Sequence, residues 1–190
     1  METLRKDGQM SSPIILDLCG GTGSWSTPYA DAGYDVHIID IKNGHDVRRY
    51  TPPANVHGIL AAPPCTEFAG SGARWWASKS PHLLEEAVEI ALACCEIIRT
   101  AQPVWWALEN PVGRLPSFIG QWRYTFQPYE YGDPYTKRTC MWGKHIIPDK
   151  TPVEPTEGSK LWRLPPSPER QALRSITPEG FARAFFKANA

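Results

Sequence analysis

Cys65 lies in the stretch Ala61-Ala62-Pro63-Pro64-Cys65-Thr66-Glu67-Phe68, after the apolar run 56–60 and ahead of Gly70-Ser71-Gly72. Such a run predicts a buried strand, and the glycines beyond it predict a mobile loop. The thiol therefore belongs just past the carboxyl end of a strand, the edge where open α/β sheets bind ligands. Two prolines fix the backbone ahead of it, since each locks φ and restricts the residue before it. A thiol held on a rigid edge is placed as a nucleophile. The same stretch, taken alone, fits a buried structural cysteine equally well, because free cysteine packs as a small apolar side chain.

Two acids fall in matching positions. Asp40 ends the apolar stretch 35–40, and Glu109 follows the run Val104-Trp105-Trp106-Ala107-Leu108. Upstream, the stretch 13–18 predicts a first strand running into Asp17-Leu18-Cys19-Gly20-Gly21-Thr22-Gly23-Ser24-Trp25-Ser26. A strand, a glycine-rich turn and a helix bring backbone N–H groups close to a ligand. Ser24 or Ser26 is the expected cap of the helix that reaches Ala32. Asp40 stands about 17 residues past Gly23, near the spacing at which an acid accepts hydrogen bonds from a ribose. A tight βα turn and a solvated strand-end Asp are the plain alternatives.

The elements that must position these groups follow from periodicity. Only about 15 residues separate Asp40 from Val56, so a full helix-plus-strand crossover barely fits and the sheet is expected to be abbreviated there. Residues 81–100 predict the clearest helix, with Leu83, Leu84, Ala87, Val88, Ala91, Leu92, Cys95 and Ile98 at helical spacing. Ser80 and Pro81 start it. The stretches 124–131 and 135–142 predict an antiparallel hairpin around Gly132-Asp133-Pro134, with Lys137-Arg138 on its second strand. Residues 143–175 are rich in proline, lack periodicity and predict an extended loop packed over the domain. Thr177-Pro178-Glu179 starts a last helix, with Phe181, Ala184 and Phe185 on its apolar face. Residues 1–12 are polar and read as a frayed end.

Composition bounds the rest. The 190 residues carry 20 Lys+Arg and 20 Asp+Glu, so no strong whole-molecule field attracts nucleic acid. Local basic patches remain at Arg48-Arg49, Lys137-Arg138 and between Arg170 and Arg174. Five cysteines without paired spacing argue against a disulfide framework and a zinc ribbon, and no metal site is expected. No apolar run approaches membrane-spanning length and no signal pattern opens the chain, which predicts a cytoplasmic protein, bacterial or in a phage-infected cell. The length fits one domain over 1–190.

In this order the motifs resemble those of the cytosine carbon-5 DNA methyltransferases, most closely their small phage-borne members. The resemblance implies an α/β, Rossmann-like S-adenosylmethionine-dependent methyltransferase fold, with an abbreviated mixed sheet and an antiparallel hairpin toward the C-terminal half. It implies S-adenosylmethionine as cofactor, held by Asp17, Leu18, Gly20, Gly21 and Gly23 of the first turn, by Asp40 and Ile41 at the ribose, by Asp46 and Val47 beside the adenine, and by Pro63. An aromatic of the family is replaced by Cys19, and Trp25 is the candidate to stack in its place. Pro63-Pro64-Cys65 is similar to the nucleophile motif and Phe68 stands in its aromatic position. Glu109-Asn110 is similar to the motif that grips the cytosine, and Lys137-Arg138-Thr139 to a reduced form of the later arginine motif.

The chemistry implied is covalent. A Cys65 thiolate adding to carbon-6 of cytosine makes carbon-5 reactive toward a methyl sulfonium. Glu109, protonated, hydrogen-bonds the ring nitrogen and amino group, and Arg138 orients the base or its phosphate with a planar fork. Pro64, Phe68, Arg74, Trp75, Asn110 and Lys137 are the expected substrate contacts, with the loop 68–80 as a lid and Trp75-Trp76 as either stacking faces or core. The family's target-recognition domain has no counterpart, the proline-rich loop 143–175 taking its place. DNA is the expected substrate partner, with a protein partner or homo-oligomer supplying sequence recognition. Two other readings stay open: an amino-group DNA methyltransferase, which Ala62 and Cys65 fit poorly, and a catalytically silent binding module of the same fold.

Overall fold

The computed structural model describes residues 12–167 and 169–190; the polar stretch through Ser11 lies outside the described residues. Its centre is a six-stranded sheet in the order β2-β1-β3-β4-β6-β5. The strands are β1 (Ile14–Leu18), β2 (Asp35–Ile39), β3 (Val56–Ala61), β4 (Trp105–Pro111), β5 (Tyr124–Phe126) and β6 (Thr139–Lys144). β2, β1, β3 and β4 run parallel, while β6 is antiparallel to both β4 and β5. The mixed α/β sheet expected from the sequence is present.

Both faces of the sheet are covered, which is why β1 and β3 read as nearly unbroken apolar runs. Alternation sends successive side chains to opposite layers. On one face Leu16, Leu18, Ile59 and Leu108 pack with Ala87, Ala91, Cys94, Ile97 and Ile98 of helix α2 (Pro81–Ala101). On the other, Ile15, Leu60, Trp105 and Met141 meet Trp25, Tyr29, Phe181 and Phe185. These aromatics come from the turn before α1 (Thr27–Asp31), from α1 itself and from the last helix, Glu179–Ala188. Phe126 stacks flat on Phe181, ring centroids 3.8 Å apart.

Several elements differ from expectation. Ser26 does occupy the N-cap of α1, but its side chain makes no capping bond; its hydroxyl donates instead to Asp17, in a buried polar pair. Between β2 and β3 the short connection holds only 3-10 turns, Ile41–Asn43 and Val47–Arg49, as the spacing required. In α2, Leu83 and Leu92 are exposed. Leu83 sits in the first turn, ahead of the first buried residue, and Leu92 lies about 100° round the helix from buried Ala91.

β4 runs through Glu109 and Asn110 rather than stopping before them, because β6 pairs with it along that length. The hairpin strands are shorter than predicted. Pro128–Tyr131 forms a 3-10 turn, so Lys137 and Arg138 lie in the connection ahead of β6. A short helix α3 (Pro116–Ile119) was not anticipated. Within 143–175, β6 reaches Lys144 and a helix α4 spans Arg170–Ser175. The last helix, α5, is capped by Pro178 rather than Thr177.

Candidate active site

The carboxyl ends of β1, β2 and β3 and the middle of β4 open into one cleft of about 850 Å³. Its floor on one side is the turn after β1. Cys19 leaves the strand in the left-handed region, φ 58°, and donates its N–H to Ile39 O at 2.7 Å. Gly20 follows so close to Asp17 that a Cβ there would fall 2.4 Å from the carboxyl carbon, and Gly21 has φ +55°. Only glycine meets the first demand, and it meets the second without strain. Asp40 holds the turn from β2: Oδ2 accepts from Gly21 N at 2.9 Å and Oδ1 accepts from Lys42 N at 2.9 Å.

Asp17 is buried beneath this turn yet contributes to the cleft wall. Ser26 Oγ donates to its Oδ2 at 2.6 Å, and Oδ1 has no hydrogen-bond partner among the described residues. Burial raises its pKa to about 7; the bond from Ser26 works against the rise and the nearby Asp40 carboxylate adds to it. A buried carboxyl oxygen without a partner, on a cleft wall, is an acceptor suited to a cationic or N–H-bearing ligand.

Cys65 faces the cleft from the loop after β3 and is half-buried. The loop is braced throughout. Phe68 N and Ala69 N donate to Cys65 O at 3.0 and 2.8 Å, closing a turn. Asn110 Nδ2 donates to Pro63 O at 2.9 Å from the neighbouring strand. Lys79 pairs with Glu67 at 2.8 Å, and Arg114 Nε donates to Glu67 O at 2.7 Å. Arg114 N donates to Phe68 O and Gly70 N to Val112 O, at 2.9 and 2.8 Å. Here Gly113 is required, since a Cβ would stand 1.8 Å from Phe68 O. Phe68 is buried against Phe118 and acts as an anchor below the loop, not as a cleft wall.

Glu109 follows Leu108, the last β4 residue that pairs with β3, and so emerges at the parallel sheet's carboxyl edge while β6 still holds its other side. It lines the same cleft, and its Oε2 is buried with no partner among the described residues. Burial raises its pKa, and the Lys137 ammonium opposes the rise. The Cys65 thiol is also raised, first by burial and then by the Glu109 charge; Lys137 and Arg174 pull it down. Carboxyl and thiol are thus electrostatically linked: a protonated Glu109 removes one obstacle to the Cys65 thiolate.

The cleft gathers Asp17, Gly20, Gly21, Trp25, Asp40, Ile41, Pro63, Pro64, Cys65, Arg74, Trp75, Glu109 and Lys137. Others stand apart from its wall. Leu18 and Val47 are core, Gly23 is buried with φ +71°, and Asn110 acts through Pro63. Asp46 caps its 3-10 turn and grips Arg48 at 2.8 Å, and that bond lowers its pKa. Arg138 is exposed and does not line the cleft; the neighbouring Lys137 does, with Nζ donating to Ile176 O at 3.2 Å. Trp25 lines the wall but is buried, its rings being packed edge-on to Phe185 and tilted to Phe181.

The loop 68–80, expected to be a mobile lid, holds a 3-10 run over Gly70–Ser78. Trp75 is exposed on it, while Trp76 lies under Arg114 at 4.3 Å from the guanidinium carbon. The sequence reading left out Trp162 and Gln171 as cleft residues and gave Arg170 and Arg174 no place beyond a basic patch; all four line the cleft. The i, i+4 spacing of the two arginines was the available signal for one helical face. Among the described residues there is no cluster of metal-ligating side chains and no helix long and apolar enough to cross a membrane.

No family model matches the sequence, and no characterised protein sequence matches it. Among solved structures, a candidate DNA modification methyltransferase encoded within an E. coli prophage is similar with a TM-score of 0.50. The fold is that of a Rossmann-like methyltransferase. Identity over the match is 18%, covering 75% of this chain and 53% of the prophage protein, and at that identity the likeness is one of fold. A methyltransferase from Entamoeba histolytica is similar at a TM-score of 0.47 and 15% identity, over 77% of this chain and 58% of its own. The chain spans little more than half the length of either methyltransferase.

Proposed function

We propose that the protein transfers a methyl group from S-adenosylmethionine to carbon-5 of cytosine in DNA, through a covalent adduct at Cys65. The observation that carries this reading is that one cleft holds a thiol, a buried carboxyl with a raised pKa, and a glycine turn with two acids. The cofactor would lie on the turn side of the cleft. The unpartnered Asp17 oxygen would take the amino end of its methionine, the Gly20-Gly21 backbone leaves room beside it, and Asp40 and Ile41 stand where a ribose would lie. Bound there, S-adenosylmethionine supplies an electrophilic methyl group on a sulfonium.

The chain's own residues supply the rest. Cys65 Sγ, as thiolate, adds to carbon-6 of the cytosine and makes carbon-5 electron-rich. Once carbon-5 has taken the methyl group it gives up its proton to a base or water, the carbon-6–sulfur bond breaks, and the ring double bond and the thiolate are restored. Glu109, whose pKa burial raises, would in its protonated form donate to the ring nitrogen as negative charge develops there. Lys137 sets positive charge over both groups and favours the thiolate. Asn110 acts through Pro63, fixing the loop so that the thiol does not swing. We read 1–190 as one catalytic domain in which 143–175 replaces a target-recognition domain, sequence recognition coming from a protein partner or a second copy.

Transfer of labelled methyl from S-adenosylmethionine to cytosine-containing DNA, by wild type and Cys65→Ser, tests the reading. Wild type should transfer label and the variant should not, an alcohol being a far weaker nucleophile than a thiolate. No transfer by folded wild type, or equal transfer by Cys65→Ser, contradicts it.

A further inference from the structure

We propose that the cleft receives its nucleic acid as a single strand with the base unpaired, stacked on Trp75 and Trp162. This rests on the preceding reading of the cleft as a nucleic-acid site. Both indoles line the cleft and both are largely exposed, at 56% and 64%. They come from different segments: Trp75 from the 3-10 run beyond the Cys65 loop, Trp162 from the proline-rich segment. Two largely exposed indoles at the rim of one cleft leave apolar ring surface to solvent, and every unpaired base offers a face to stack on. Arg74 lies over Trp75 at 5.1 Å, and Arg170 Nη2 donates to Trp162 O at 3.0 Å. With Arg174 they place positive charge beside each aromatic, the combination that tracks a single strand.

The same segment obstructs a duplex. Gln171 Nε2 reaches Thr66 Oγ1 at 3.4 Å, so α4 touches the residue next to Cys65. At its far end Thr177 N donates to Ser24 Oγ at 3.0 Å, beside the glycine turn. The segment therefore roofs the cleft from the nucleophile loop to the cofactor turn. A strand can pass beneath such a roof and deliver one base. A duplex would have to part the roof, and with zero net charge the molecule has little field to hold duplex phosphates meanwhile. Groove reading also needs an element that enters a groove, and the roof offers none of suitable length.

Fluorescence anisotropy with short labelled cytosine-containing oligonucleotides, without S-adenosylmethionine, tests this. The probes are single-stranded DNA, RNA of the same sequence and the DNA duplex. Single-stranded DNA or RNA should bind at least about tenfold more tightly than duplex, and Trp162→Ala and Trp75→Ala should each weaken strand binding by about tenfold. Circular-dichroism melts should be unchanged, since both indoles are exposed. Duplex binding as tight as strand binding, or strand binding unaffected in both variants, overturns the inference. Methyl transfer measured on the same oligonucleotides separates it from the reaction. Equal transfer to duplex and strand removes this inference and keeps the reaction. Tight strand binding without transfer keeps the inference and removes the reaction.

Discussion

Asp17→Asn should change how stability depends on pH, because burial raises the Asp17 pKa from 3.8 to about 7. A carboxyl whose folded pKa lies above its unfolded value is held protonated by the fold. The stability it contributes is complete below about pH 4 and is lost as pH rises, since the unfolded chain releases its proton first. Across the whole window, the difference of about three pKa units corresponds to about 4 kcal/mol at 1.36 kcal/mol per unit. Between pH 5 and pH 8 only the interval from 5 to about 7 counts, leaving roughly 3 kcal/mol. Asn is nearly isosteric, keeps an acceptor for Ser26 Oγ and does not titrate. Urea unfolding of both proteins at pH 5 and pH 8 isolates Asp17, since other titrating groups cancel in the difference. Relative to Asp17→Asn, wild type should lose about 3 kcal/mol on going to pH 8. A difference that is flat with pH, or that grows in favour of wild type, would refute the burial argument. Saturating S-adenosylmethionine should shrink the difference, by giving the ionised carboxylate a cationic partner.

The remaining expectations concern the nucleophile loop and its charges. Asn110→Ala leaves the buried Pro63 carbonyl without its donor and should cost about 1–3 kcal/mol in chemical denaturation. It should also lower kcat by up to about a hundredfold if the thiol shifts by about 1 Å. Lys137→Met should lower kcat far more than Arg138→Met, because Lys137 lines the cleft and Arg138 is exposed; steady-state assays with equal losses would contradict that assignment. Glu109→Gln should strongly impair methyl transfer while keeping cofactor affinity, measured by calorimetry; unchanged turnover would remove Glu109 from the chemistry.

How much was legible follows from where local pattern decides structure. β1 and β3 were readable because buried parallel strands are nearly continuous apolar runs, and β2 because Val36, Ile38 and Ile39 are bounded by a glycine turn and Asp40; the Pro63-Pro64 pair marks the stop after β3. α2 was readable from its period, though the stripe that buries is narrower than the stripe that is apolar. β4 was cut short because Glu109 and Asn110 look like a strand end, and only pairing with β6, some 30 residues later, carries the strand through them. The placement of Lys137 inward and Arg138 outward is a matter of one residue in an irregular connection, which no period fixes. Roofing by α4 rests on tertiary ties such as Gln171 to Thr66, between residues 105 positions apart, and leaves no local trace. Asn110 was read as gripping the base; its bond to Pro63 makes it a support for the loop.

The central claim is that this cleft methylates carbon-5 of cytosine by way of Cys65. Nucleoside mass spectrometry of DNA incubated with the protein and S-adenosylmethionine tests it most directly, because it reads both the base and the position of the new methyl group. The account predicts 5-methyldeoxycytidine from wild type and none from Cys65→Ser. Methyl on an exocyclic amino group of cytosine or adenine, or 5-methyldeoxycytidine formed undiminished by Cys65→Ser, would contradict it.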